Sequence, residues 1–286
     1  MPEPSARVIR QRVIDRWTAA ITYVALIGIS ALFAAPFVWM VVTSLKQDGQ
    51  IFSDSVQWMP SPVMWSNYGD AVRSFPFLMY LKNTVVICAL TTIGTVLSAA
   101  LPAYGFSRMR WIGRDRIFIV VLMTIMLPAQ VTMIPVFLIF RALGWTGTIL
   151  PLVVPAFLGN AFSIFLLRQF FMGIPEELSD AARIDGCGEM GILVKIILPM
   201  ARPAIATIAL FAFTGAWMDF VNPLIYLHDE RSYTLAIGLQ AFLGRHGGEW
   251  SQLMAAATIV TIPMVVLFML AQRTFVRGIA LTGMKG

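Results

Sequence analysis

The sequence predicts an all-α membrane protein with six transmembrane helices, and three observations carry that prediction. The chain is 58% hydrophobic and only 13% charged, with a mean hydropathy of +0.77, whereas soluble domains average about 45–50% apolar and roughly 25% charged residues. Six separate apolar runs reach about the 20 residues that a helix needs to cross the hydrocarbon. The runs are continuous rather than alternating, which is the pattern of a spanning helix and not of a barrel strand.

Residues 1–16 are polar and basic, with Arg7, Arg10, Arg12 and Arg16, and form a tail before the 17–286 membrane domain. The runs lie at about 17–43, 81–106, 117–140, 148–171, 204–227 and 254–272. The first has a basic flank, as a signal peptide does. It is longer than a signal's apolar region and lacks a clear small-x-small cleavage site, so it is retained as a span. The link at 44–80 is long and carries Trp58, Trp65, Tyr68 and Tyr80, which suit an interface. The link at 141–147 is a short hairpin, and 228–253 is again long and holds both histidines, His228 and His246, as solvated loop residues.

Charge sets the orientation. With the N-terminus in the cytoplasm, fifteen of the 21 Lys and Arg residues fall on the inner side and six on the outer, as the positive-inside rule requires. Both termini and residues 174–203 are then cytoplasmic. The pI near 9.7 thus reflects inner loops and not a nucleic-acid partner. Cys88 and Cys187 are far apart and match no metal or redox spacing.

The segment 176–203 holds five of the chain's 15 acidic residues. Pro175, Glu176 and Glu177 open a helix, with proline at the first helical position and acids at the positive end. That helix runs to about Ile184, and Gly186 permits a sharp turn. A second piece follows with Ile192, Leu193, Ile196 and Ile197 on one side; Pro199 ends it and Pro203 opens the next span. Isolated helices this short need something to pack against. The residues fit either a docking element for another protein or a plain solvated loop.

The stretch "DAARIDGCGEMGILVKIILP" resembles the cytoplasmic loop of ABC-importer permeases, whose pattern is E-A-A, three residues, G, nine residues, I-x-L-P. Asp180, Ala181 and Ala182 take the triplet, Gly186 the glycine, and Ile196, Leu198 and Pro199 the close. The longer "IPEELSDAARIDG" is similar to the carbohydrate-importer branch of the binding-protein-dependent family, the maltose-type second permease. "SNYGDAV" at 66–72, "LKNTVVI" at 81–87 and "LTGMKG" at 281–286 extend the likeness. Asp180 stands where glutamate is usual, Cys187 where alanine is common, and "EMGILVK" lacks a frequent aromatic.

The resemblance implies a mechanism and its partners. Two permease subunits form a pathway in the cytoplasmic membrane, two cytoplasmic ATPase subunits drive it, and an extracytoplasmic binding protein delivers the sugar. This chain binds no cofactor of its own; ATP and magnesium act in the ATPase. The 174–203 loop is the coupling helix. Asp180 pairs with a basic ATPase residue, Ala181 and Ala182 fill the cleft, Gly186 sets the turn, and Glu177 and Asp185 belong to the same contact. The terminal "GMKG" also reaches toward the ATPases.

Within the spans an ionisable group is a functional candidate by default. Asp219 lies in the fifth run with Asn222 beside it, and Pro223 cannot donate to the Asp219 carbonyl. A carboxylate, an amide and a freed carbonyl thus gather at a kink next to Trp217 and Phe220, chemistry suited to sugar hydroxyls and ring faces. Asn160 and Ser163 in the fourth run, and Gln130 and Thr132 in the third, are lesser candidates, because such groups often bond between helices. Pro128, Pro135 and Pro263 predict kinks.

Other classes fit less well. No G-x-x-x-x-G-K-[ST] or H-E-x-x-H occurs, so neither ATP hydrolysis nor metalloenzyme chemistry is expected of this chain. A self-sufficient secondary transporter needs coupling carboxylates in several spans. Polyols and glycerol phosphate esters stay open as substrates beside sugars.

Overall fold

The computed structural model describes residues 4–53, 57–245 and 249–283, and every regular element among them is helical. His246 and residues 284–286, and with them most of "GMKG", lie outside the described residues. The chain forms two compact units, one of residues 1–74 and 247–259, the other of 75–246 and 260–286.

The first unit holds α1 (Pro4–Ser44), α2 (Asp48–Ile51), α3 (Ser66–Arg73) and the start of the last helix. The expected tail before residue 17 is drawn into α1 without a break. From Trp17 to Val38 the α1 side chains are exposed, with Leu32 and Phe33 at 72%; a helix apolar all round requires lipid or other protein about it. Its C-terminal end is fixed by hydrogen bonds. Asn67, buried, donates through Nδ2 to the carbonyls of Ser44 and Lys46, both at 2.8 Å, and Ser44 Oγ meets the Tyr68 hydroxyl at 2.7 Å. The buried Lys46 ammonium lies 4.4 Å from the Trp39 ring centroid. The link at 44–80 is therefore tied back at residues 67 and 68 to the end of α1.

The second unit is built around α4 (Phe77–Arg108). Packed on it are α7 (Leu150–Val153) with a 3₁₀ turn at 154–158, α8 (Ala161–Met172) and α12 (Arg202–Met218), with α5 (Arg114–Ile125) against α8. Small residues permit the close approach: Ala99, Ala100 and Ala103 of α4 are buried in the core with Leu167, Phe171, Ile197 and Ile208. At Gly94 a Cβ would stand 2.6 Å from the Phe157 ring, so that contact requires glycine. Arginines fasten one end of the bundle. Buried Arg108 donates through Nη2 to the carbonyls of Phe171 and Ile174, the exposed-carbonyl end of α8. Arg168 Nε donates to the Phe106 carbonyl at 3.1 Å, with its guanidinium 4.1 Å from the Phe118 ring centroid.

Among the described residues, four helices are long and apolar enough to cross a membrane, at 17–44, 77–108, 150–172 and 250–272. The total reaches six if each of two bent pairs is one span. The third span, expected to kink at its prolines, is such a pair: α5 and α6 (Ala129–Ala142) meet at Pro128 with a 98° bend, sharper than a kink within one helix, because proline cannot continue the helical bonding and pushes its predecessor out of the helical region. The fourth run breaks at Gly159, whose φ of +102° leaves the helical region altogether. The fifth breaks fully at Asp219, between α12 and α13 (Val221–Tyr226), rather than merely kinking.

The segment from 174 also departs from expectation at both ends. Its first helix, α9 (Glu177–Ile184), starts two residues beyond Pro175. The second piece does not end at Pro199. It runs as α10 (Glu189–Ile192), a π turn at 193–197 and α11 (Leu198–Met200), then turns through 80° into α12. The π turn's wider loop of bonding leaves room for a proline ring at 199, so the chain continues to Met200. The rest of the chain is α14 (Leu235–Arg245), after a 3₁₀ turn at 230–232, and α15 (Trp250–Gly283).

Candidate functional site

Two features of the second unit share the helix α4. The first is a cavity of about 610 Å³. Thr84, Ile87, Thr91 and Thr95 follow at intervals of three and four, so they form one face of α4 toward it. Opposite stand Ala212, Gly215 and Ala216 of α12, small side chains that leave the space open, with Asp219 just past the helix end. Asn160 and Ser163 close another side. Phe162 and Phe211, whose ring centroids are 5.8 Å apart, supply aromatic surface.

Three residues predicted from the sequence thus meet here: Asp219, Asn160 and Ser163. Asn160 caps α8, its Oδ1 accepting from the Ser163 amide at 2.9 Å and the Ser163 hydroxyl at 3.0 Å. Asp219 accepts from the Asn222 backbone amide at 3.2 Å and from Asn222 Nδ2 at 2.8 Å, which holds the α12–α13 break. Asn222 therefore reaches the cavity through Asp219. Trp217 does not join them; it is buried, donating to the Val260 carbonyl at 3.3 Å and stacked on Phe213. Gln130 and Thr132 lie on α6, and Thr132 bonds back to the Ala129 carbonyl. The α4 threonines escaped the sequence reading, because a threonine in a helix satisfies its hydroxyl on its own backbone, as Thr84 does on the Tyr80 carbonyl at 2.8 Å. Their three-and-four spacing is the signal that reveals them.

The second feature is the 174–203 loop. Gly186 takes a φ of +81°, the left-handed turn expected of it. Cys187 N then donates to the Ala182 carbonyl at 2.9 Å, closing the end of α9. α9 is two-faced. Ser179 and Ala182 are buried against the unit's core, while Glu177, Leu178, Asp180, Ala181, Ile184 and Asp185 are exposed. Ala182 is therefore not available to fill a partner's cleft, and Ala181 is. Ile184 is 86% exposed at the tip of a charged helix, an arrangement that leaves apolar surface for another molecule.

A chain of polar contacts ties this loop to α4. Arg183 reaches Asp180 Oδ1 at 2.7 Å and Glu189 Oε1 at 2.8 Å, and the Tyr104 hydroxyl donates to Glu189 Oε2. The bonds from Arg183 and then Tyr104 hold the Glu189 carboxyl below its ordinary range, and Glu189 in turn raises the Arg183 guanidinium. With its folded value lowered, Glu189 strengthens this tie at all pH above the ordinary carboxylate range; the contribution fades as pH falls through the lowered value. The pair of Glu176 and Arg110, at 3.9 Å and largely exposed, adds little.

Comparison with known proteins agrees with this architecture. Residues 91–281 match the family described as binding-protein-dependent transport system inner membrane component. A probable ABC transporter permease protein, YurM of Bacillus subtilis, is 34% identical over 258 residues, covering 88% of this chain and 84% of its own length. The trehalose/maltose transport system permease protein MalG of Thermococcus litoralis is 34% identical over 285 residues, covering 97% of this chain and all of that protein. The sn-glycerol-3-phosphate transport system permease protein UgpE of Yersinia pestis is 32% identical, over 89% of this chain and 92% of its own. In fold, the chain is similar to one in the crystal structure of a bacterial ABC transporter involved in the import of the acidic polysaccharide alginate, with a TM-score of 0.80, 24% identity, and coverage of 91% of this chain and 96% of that one. This protein belongs to the inner membrane components of binding-protein-dependent transport systems, and it is a permease of the ABC type rather than an enzyme.

Proposed function

We propose that the chain is one of two permease subunits of an ABC importer that carries a sugar or oligosaccharide across the cytoplasmic membrane. Partner ATPases drive it with ATP and magnesium, and an extracytoplasmic binding protein loads it. The termini and the 174–203 loop face the cytoplasm, as the charge distribution favours. The exposed side of α9, with Glu177, Asp180, Ala181, Ile184 and Asp185, seats on an ATPase, and Gly186 sets its angle. The cavity of Asp219, Asn160 and Ser163 is this subunit's part of the solute route.

One observation carries the reading: α4 both lines a polar cavity and holds the exposed loop. From Thr95 at the cavity to Tyr104 at the loop is about 14 Å at 1.5 Å per residue. A displacement of the loop is thereby delivered to the cavity along one continuous helix. The lining suits carbohydrate: hydroxyls, an amide and a carboxylate for sugar hydroxyls, and aromatic rings for sugar faces. A glycerol phosphate ester is the second reading, favoured by the likeness to UgpE.

The test is uptake. A ligand-shift screen of the cognate binding protein names the solute. Asp219→Ala is then expected to cut its uptake at least tenfold, with the assembled complex recovered in normal yield. Unchanged uptake across solute concentrations would leave Asp219 a helix-break residue only.

A further inference from the structure

We infer that this chain's wall of the cavity selects against anions, admitting uncharged polyhydroxylated solutes and turning away phosphate, sulfonate and uronate groups. The inference rests on the reading that the cavity is the solute route, and it narrows the substrate class. Among the described residues that line the cavity, Asp219 is the only ionisable one, and none is Lys, Arg or His. Its carboxylate is held by neutral donors alone, the amide and side chain of Asn222. Among the described residues no cation forms an ion pair with it. The remaining polar groups, from Thr84, Thr91, Thr95, Asn160, Ser163 and Thr234, are neutral.

A carboxylate in a cleft with low-dielectric walls focuses its field into the space. Recognition of a phosphate or carboxylate calls for Arg, Lys or a cluster of amide donors, and the wall offers none of the first two. A neutral sugar meets no such penalty: its hydroxyls donate to Asp219 and accept from the side-chain NH2 of Asn160, whose Oδ1 alone is engaged by Ser163. The wall thus favours the sugar reading over the phosphate ester.

Thiol chemistry measures this field without knowledge of the solute. In the assembled transporter in membrane vesicles, Cys88→Ala and Cys187→Ser remove the native thiols, and Ala216→Cys places a reporter on the cavity wall one helical turn before Asp219. The reporter is reacted with a cationic trimethylammonioethyl methanethiosulfonate and an anionic sulfonatoethyl methanethiosulfonate, each rate divided by that of a free thiol in water. The normalised cationic rate is expected to exceed the anionic by about tenfold, and Asp219→Asn is expected to bring the two rates together. Thr91→Cys serves as the reporter if Ala216→Cys lowers recovery of the complex. Equal rates in the parent, or a preference that survives Asp219→Asn, overturn the inference while leaving the route intact. If neither reagent reacts at either position, the cavity is closed to water, and the solute route falls together with the selectivity built on it.

Discussion

Arg108 shows how much a single side chain carries. It ends α4, is buried, and gives Nη2 hydrogens to two carbonyls at the end of α8. Charge-assisted bonds of this kind are worth about 1.5–3 kcal/mol each, and losing them takes from the Ile174 carbonyl its Arg108 donor and leaves Phe171 with the Ile174 amide alone. Arg108→Met is therefore expected to lower stability by about 2 kcal/mol or more, read as a fall in the thermal midpoint of the purified complex; an unchanged midpoint would mean the carbonyls find other donors. The sequence announced Arg108 only as one more positive charge. Asp219, Asn160 and Ser163 were legible because polar groups in apolar runs stand out. Trp217 was misleading for the opposite reason: an aromatic next to a carboxylate looks like a binding pair, yet the helix turns it toward Val260. Which way a side chain faces depends on where the helix stops, and that was the less readable quantity.

Most of the helical elements could be located from hydropathy; of their interruptions, Pro128 and Asp219 were expected as kinks, while the break at Gly159 was not. Apolar runs report length and burial, whereas a break needs only one residue of unusual backbone demand. Gly159 turns the chain with φ of +102° inside an otherwise apolar stretch. Pro128 divides α5 from α6, though Pro36, Pro102, Pro135 and Pro263 lie inside continuous helices. A proline alone does not say which outcome follows; neighbours that re-satisfy the freed carbonyl decide it. The turn at Gly186 was readable because its motif specified it. Its φ of +81° is strained for any residue with a Cβ, although nothing crowds the site. Gly186→Val is expected to cost about 1–2 kcal/mol locally and to raise amide hydrogen exchange across 177–192 while the exchange of α4 stays as it was. Equal protection in the variant would show that the turn tolerates a side chain.

At the scale of the whole molecule, the proposed function assigns the chain a solute route and a lever and leaves ATP hydrolysis to a partner. The cavity and the loop belong to one unit, joined by α4 and by the Asp180–Arg183–Glu189–Tyr104 contacts. The loop's inner face is buried against its own core, and its outer face is charged with an exposed isoleucine at the tip. In the proposed mechanism the loop is moved by an ATPase seated on that outer face. Asp180 stands at the centre of the proposed contact: it is exposed, and among the described residues its one ion pair is with Arg183 three residues on, a bond that a partner's cation can exchange. The most direct test is to purify the tagged chain from its own membranes, identify the ATPase that accompanies it, and measure hydrolysis and uptake for Asp180→Lys. Loss of the ATPase from the complex, or hydrolysis no longer yielding uptake, is the predicted result; an intact complex with fully coupled hydrolysis would contradict it.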